Sequence, residues 1–181
     1  MDTPDGPWTV IQNRESNDVN FYRSWNDYKT GFGDLNGNFW LGNDAIHYLS
    51  TIASVLRINL VTWMGDERYA EYSTFKVENE TDNYALTASG FSGTAWSDAM
   101  GFHTGHQFST YDNDNDVWKF NCAVKYRGGW WYRSCNSANL NGGIYYNGTD
   151  NYKAVAWNYL YEGIRHSHIM KTRMLLKRPH N

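Results

Sequence analysis

Three aspartates at every second position, Asp112, Asp114 and Asp116, are the residues of this chain best placed to do chemistry. Carboxylates spaced this way along a bending loop suit a hard cation such as calcium, which takes several oxygen ligands. The run opens like an EF-hand loop and then departs from it: Val117 stands where that loop needs Gly, and Ala123 where it needs Glu. Two cysteines follow, Cys122 and Cys135, 13 positions apart. In an exported protein they read as a disulfide, which for a loop of that size contributes about 3 kcal/mol. Zinc finds no C-x-x-C pair here, and a catalytic thiol would need a reducing compartment. Trp130, Trp131 and Tyr132 lie between the cysteines, so a cation site would adjoin a stapled, aromatic-lined loop, the layout of a recognition site.

Other candidates are weaker. His103 and His106, and His166 and His168, have spacings found in metal sites, but the first pair lies in a Gly-rich stretch with no neighbouring carboxylate or thiol. Gly90-Phe91-Ser92-Gly93 approaches a nucleophile elbow, with Thr94 in place of the last glycine. No catalytic constellation stands out, and the expectation is a protein that is not an enzyme.

Composition narrows the class. With 181 residues, 41% hydrophobic and 19% charged, the chain can bury one core and is not a disordered polymer. A net charge of −3 gives no basic face, which argues against nucleic acid. No apolar run approaches the roughly 20 residues of a membrane span. The even cysteine number and two sequons, at Asn79 and Asn147, favour a secreted glycoprotein, although MDTPDGPWTV has no signal-peptide pattern. An export signal and further sequence are therefore expected upstream.

The elements that must position the loop are mostly strands. Residues 8–12 (WTVIQ) read as a strand, with 17–21 as its partner after a polar turn. A short amphipathic segment at 24–28 ends at Gly31 and Gly33, and 38–41 is compact and aromatic. A short helix follows, with Asn43 as N-cap, Asp44 in its first turn, and Ile46, Leu49 and Ile52 at helical spacing. Residues 56–62, 68–77 and 84–89 read as an antiparallel meander. From Gly90 to about Asn151 the chain is rich in Gly, Ser, Asn, Asp and Trp, a length of irregular chain that needs a cation or disulfide to hold it. Residues 169–177 return to alternation, Met170, Thr172, Met174 and Leu176 against Lys171, Arg173 and Leu175, and should close the sheet.

In this order, WTVIQNR, GFG, FWLGND-x-IH, FST-x-DNDND, NCA, WWYR-x-C and NLNG resemble the fibrinogen-related C-terminal domain of fibrinogen, ficolins, tachylectins, tenascins and angiopoietins, over residues 8–179. The resemblance implies an α+β fold: a twisted antiparallel central sheet with short helices (8–95 plus 169–179) and a loop-rich calcium and ligand region (96–168). It implies one domain over 1–181, lacking the small cysteine-bearing subdomain that normally comes first. It further implies a structural calcium ion held by the side chains of Asp114 and Asp116 and the carbonyls of Trp118 and Phe120, with Asp112 shaping the loop. An acetyl-binding pocket would lie beside it. Backbone N–H groups at Ser134, Cys135 and Asn136 would meet the acetyl oxygen, with a cis peptide after Cys135 and Tyr126 and Tyr152 as aromatic walls.

Three positions depart from the acetyl-binding pattern: Asn136 for a frequent His, Lys153 for a small residue, and Ile164 for an aromatic ring. The function implied is secreted, calcium-dependent, lectin-like recognition of acetylated or microbial glycans in innate immunity. The alternative is a protein-binding module of the tenascin or angiopoietin kind, with cell-surface proteins as partners. Family members often form homo-oligomers through segments preceding this domain.

Overall fold

The computed structural model describes residues 2–3, 6–51, 54–143, 154–165 and 167–178. The chain runs β1 (Asp2–Thr3), β2 (Gly6–Pro7), β3 (Thr9–Arg14), α1 (Trp25–Thr30), β4 (Phe32–Gly33), β5 (Phe39–Trp40), α2 (Asn43–Ser50), β6 (Ser54–Thr62) and β7 (Glu67–Val77). A 3₁₀ turn (Glu80–Asp82) precedes β8 (Leu86–Gly93), followed by α3 (Cys122–Tyr126), β9 (Ala138–Asn139), β10 (Ala156–Trp157) and β11 (Ser167–Lys177). The main sheet is antiparallel in the order β4-β5-β3-β11-β6-β7-β8, with β10 joining β11 to β9. Strands, short helices and a long loop region make the α+β architecture expected from the sequence.

The last long strand is central. β11 lies between β3 and β6, so the chain's end closes the sheet around its first long strand. In β6 every second side chain is buried, with Leu56, Ile58 and Leu60 entering the core. In β11 a register shift between Ile169 and Lys171 moves the buried face from Ile169 to Thr172, Met174 and Leu176. Met170 consequently leaves the buried row in which simple alternation had put it.

Other expectations are corrected. Residues 17–21 form no strand: Phe21 is buried, and its carbonyl accepts the Tyr28 hydroxyl at 2.7 Å. Ser24 caps α1 through a capping box with Asp27. In α2 the N-cap is Gly42, at φ 106°, because the Asn43 side chain is already engaged by the Trp40 indole N–H at 3.0 Å. Gly42 tolerates that positive φ, and a Cβ there would meet the backbone of Thr30. Ile52 lies outside the described residues. Tyr84 belongs to the left-handed turn before β8, which instead runs on to Gly93.

The loop-rich region packs on the sheet through rings and buried polar groups. Trp40, Phe108, Trp130 and Trp131 form a fully buried aromatic cluster. Gln12 on β3 donates to the Leu140 carbonyl and to Asn141 Oδ1, and accepts from Thr172 on β11. Arg14 on the same strand donates to the Gly142 carbonyl. The first and last long strands therefore both hold the segment after Cys135.

Candidate functional site

The acidic loop is shaped by its own carboxylates. Asp112 Oδ1 accepts from the Trp25 N–H at 2.9 Å and the Thr110 hydroxyl at 2.7 Å, tying the loop to the start of α1. Asp114 Oδ1 accepts from the Asp116 N–H at 3.3 Å. Asp116 accepts twice, from Trp118 N–H at 2.8 Å and Cys122 N–H at 2.8 Å. Burial, and then the charge of Asp114, push the Asp116 carboxyl up to about 6, against two backbone N–H groups that favour the anion.

A calcium ion fits this donor set. Two carboxylates adjoin one another with their charge unbalanced, and among the described residues no backbone N–H reaches the carbonyls of Trp118 or Phe120. No three acidic, His or Cys side chains converge among the described residues, so carbonyls and water would complete the shell.

Cys122 and Cys135 are joined, with S–S 2.01 Å and Cα atoms 5.5 Å apart. The Asp116 carboxylate thus reaches the loop at 133–137 through one N–H bond and one disulfide. A second link runs from Val117 N–H to the Arg133 carbonyl at 3.2 Å. Within the loop Arg133 N–H donates to the Cys135 carbonyl at 2.9 Å, across a cis peptide at Ser134–Cys135. The cis bond expected after Cys135 therefore precedes it, inside the turn that this hydrogen bond closes.

His103 holds the loop from its other side. Fully buried, it donates from Nδ1 to the Trp131 carbonyl at 2.7 Å, and its Nε2 accepts from the N–H groups of Ser137 at 3.2 Å and Ala138 at 3.0 Å. These contacts fix one neutral tautomer. Burial lowers its pKa from 6.5 to about 4, helped by the nearby His106. Both ring nitrogens are occupied, so His103 is a structural residue and His106 does not join it on a metal. The sequence showed only its spacing to His106; the backbone groups it satisfies become neighbours only in the fold. His166 is outside the described residues, and Gly90–Gly93 lies in β8, away from any strand-to-helix elbow.

The expected pocket residues come together only in part. Tyr126 is half-buried at the end of α3, its ring 6.3 Å from that of Tyr132. Ser134 is exposed and Cys135 buried. Asn136 is half-buried, and its Nδ2 is enclosed with no partner among the described residues. Ile164 is half-exposed on a turn at 161–164, and the Tyr161 hydroxyl of that turn donates to Asp66 beyond β6 at 2.8 Å. No hydrogen bond of that turn reaches the 133–137 loop among the described residues. Tyr152, Lys153 and Asn147 lie outside the described residues. Asn79 is exposed, its Oδ1 accepting from Thr81 N–H and hydroxyl.

A family model, the C-terminal globular domain of fibrinogen beta and gamma chains, matches residues 1–180. The chain belongs to the fibrinogen C-terminal domain family. Fibrinogen-like protein A of Apostichopus parvimensis is 47% identical over 165 residues, 88% of this chain and 57% of its own length. Angiopoietin-related protein 7 of Bos taurus is 48% identical over 146 residues, 81% of this chain and 42% of its own. The fibrinogen-like domain thus spans less than two thirds of these relatives. Among solved structures, the fibrinogen-like globe domain of human ANGPTL2 superposes with a TM-score of 0.89 at 36% identity, covering 97% of this chain and 82% of that one. Lamprey fibrin D-dimer, complexed with the peptide ligand Gly-His-Arg-Pro-amide, gives 0.83 at 34% identity, covering 94% and 61%. No helix among the described residues is long and apolar enough to cross a membrane.

Proposed function

We propose that this domain is an extracellular binding module, not an enzyme, that recognises a protein or peptide partner at the loop around Cys135 and Asn136. A structural calcium ion at Asp114, Asp116 and the carbonyls of Trp118 and Phe120 stiffens it. One observation carries the reading: the 133–137 loop is clamped from two sides, by Asp116 through Cys122 and by His103, while Asn136 keeps an enclosed donor without a partner. A rigid loop loses little entropy on binding, and an enclosed donor without a partner gains from any acceptor that reaches it. The angiopoietin-related and fibrin neighbours, one of them complexed with a peptide, support a protein partner over a glycan. Such a partner includes cell-surface proteins in adhesion or signalling.

The second reading is lectin-like recognition of acetylated or microbial glycans in innate immunity, and the same Asn136 donor favours it by suiting an acetyl oxygen. Single-site affinity would then be weak and homo-oligomeric presentation necessary. Chemical-shift titration separates the two, using Gly-His-Arg-Pro-amide, N-acetylglucosamine and acetate, each with calcium and then with chelator. The peptide alone should shift the 133–137 amides, and less so in chelator. Acetyl compounds binding instead would establish the lectin, and silence from all three would overturn the 133–137 loop as a binding site.

A further inference from the structure

We propose that the open edge of β8, from Ser89 to Gly93, takes up an extended segment of a partner protein as an added strand, with an apolar side chain of that segment anchored on Trp96. This adds a second contact to the module proposed above and uses no residue of the 133–137 loop.

The two edges of the main sheet are finished differently. β4, at one end of the order, is two residues long, and so short an edge offers no ladder. β8, at the other end, has eight residues. Its first part is covered by the turn at 103–106. Leu86 N–H donates to the His106 carbonyl at 3.0 Å, and Gly105 N–H to the Leu86 carbonyl at 2.7 Å. The Thr104 hydroxyl accepts from Ala88 N–H and donates to the Ala88 carbonyl, both at 2.7 Å. From Ser89 to Gly93, among the described residues, the backbone makes no hydrogen bond except those to β7. A strand paired on one side only leaves part of its N–H and C=O groups turned outward. Natural edges are blunted by charge or proline, yet residues 86–97 contain neither. Gly90 and Gly93, at φ 73° and 130°, and the exposed Ser89 and Ser92 leave room for another backbone to approach closely.

An anchor stands at the same end. Trp96 is 59% exposed, and its N–H donates to the Leu160 carbonyl at 3.0 Å, next to Tyr159, which is 42% exposed. The three residues from Gly93 to Trp96 span at most roughly 11 Å, so the indole is within reach of a strand lying along 89–93. Exposed Trp and Tyr are the side chains that most often carry binding energy. The charges nearest the edge are answered within the fold. Glu71, opposite Ser92, pairs with Arg57 at 3.4 Å, and Lys76, opposite Thr87, pairs with Glu78 at 2.6 Å. Asp98 accepts from the Tyr72 hydroxyl at 2.7 Å. Glu162 and Arg165, both exposed on the turn after Tyr159, are of opposite sign. These charges favour neither an acidic nor a basic partner, whereas outward N–H and C=O groups are matched by another extended backbone.

The test titrates the protein with the peptide Thr-Val-Thr-Val-Thr-Val-Trp, acetylated and amidated, and reads amide shifts and hydrogen exchange. Saturable shifts should fall at 89–93 and at the Trp96 indole, with exchange slowed at 89–93. The same peptide N-methylated at every internal amide should not bind, and Trp96→Ala should weaken binding about tenfold. The Trp96 side chain is largely exposed, so an unchanged Tm verifies that the variant is folded. Full binding of the N-methylated peptide, full affinity in Trp96→Ala, or no saturation overturns the proposal. Dimerisation of the free protein on sedimentation, with 89–93 protected, would assign the edge to a second copy and overturn a foreign partner. Shifts confined to 133–137 would overturn the edge while leaving the loop reading intact. Shifts at 89–93 from this peptide, with Gly-His-Arg-Pro-amide silent at 133–137, would support the edge and overturn the loop.

Discussion

β6 and the loop at 133–138 are both essential to this fold and are held by opposite means. β6 hands its backbone groups to β7 and β11 in two ladders, so its side chains need only alternate. The loop has no such ladder before Ala138, where the two-residue strand β9 begins. Its N–H groups at Ser137 and Ala138 meet His103, and the disulfide ties Cys135 to Cys122, whose own N–H meets Asp116. A buried backbone group must find a partner, and where no strand supplies one a single polar residue does. Sheet positions should therefore tolerate swaps that conserve volume, while loop positions should fail on loss of one hydrogen-bonding atom.

The largest effect is expected where the regions meet. Trp131 is fully buried, donates to the Tyr84 carbonyl at 2.8 Å, and packs against Trp40 and Phe108. Trp131→Ala should lower stability by about 3–5 kcal/mol, against about 0.5–1.5 kcal/mol for Ile58→Val in β6. Urea denaturation of both variants checks the contrast. Equal losses would remove the distinction drawn between join and sheet.

Two changes act on the loop alone. In the folded state His103 refuses a proton until about pH 4, whereas the unfolded chain takes one near 6.5. Between those values the unfolded state binds more protons, so stability falls as pH drops, by roughly 3 kcal/mol across the window. The loss should be much smaller in His103→Asn, itself less stable at pH 7. Removing the disulfide with Cys122→Ala and Cys135→Ala should take about 3 kcal/mol. Hydrogen exchange should then quicken first at 133–138 while β6 and β11 stay protected, and uniform quickening would contradict the independence of the two regions.

Calcium sharpens the same comparison. At a hundred times its Kd it would add about 2.7 kcal/mol by linkage. Tm should rise on adding calcium and fall in chelator, and Asp116→Ala should lose the response. An unchanged Tm at millimolar calcium would count against the ion site.

This division also explains what could be read in the sequence. β6 and β11 were legible because alternation is all a ladder asks of side chains, and β3 because its run is β-branched and aromatic. The shift at Ile169–Lys171 was not, since a bulge leaves no mark in composition, and Met170 fell out of phase with it. β4 and β5 are two residues each, too short for any period. Asn43 looked like a cap because Asn caps well, but the Trp40 indole competes for it. In the site, the acidic run and the cysteines announce themselves by type. The role of His103 depends on partners far along the chain, as does the enclosure of Asn136.

The smallest predicted effect tests the sheet's outer face, where packing should outweigh charge. Arg57 pairs with Glu71 at 3.4 Å, donates to Asn59 at 3.0 Å, and lies 3.9 Å over the Tyr69 ring. Both charged side chains are about a third exposed, so screening leaves the ion pair the least of these contacts, worth about 0.2–1 kcal/mol. Glu71→Gln should therefore change stability by a few tenths of a kcal/mol, and salt should erase the difference. Arg57→Ala also removes the stack on Tyr69, about 0.5–1 kcal/mol more at such a site, and salt should not restore it. Thermal denaturation of both variants at low and high salt reads this directly. If Arg57→Ala became as mild as Glu71→Gln, the outer face would owe its order to the ladder alone, and the contrast with the side-chain-dependent loop would be sharper still.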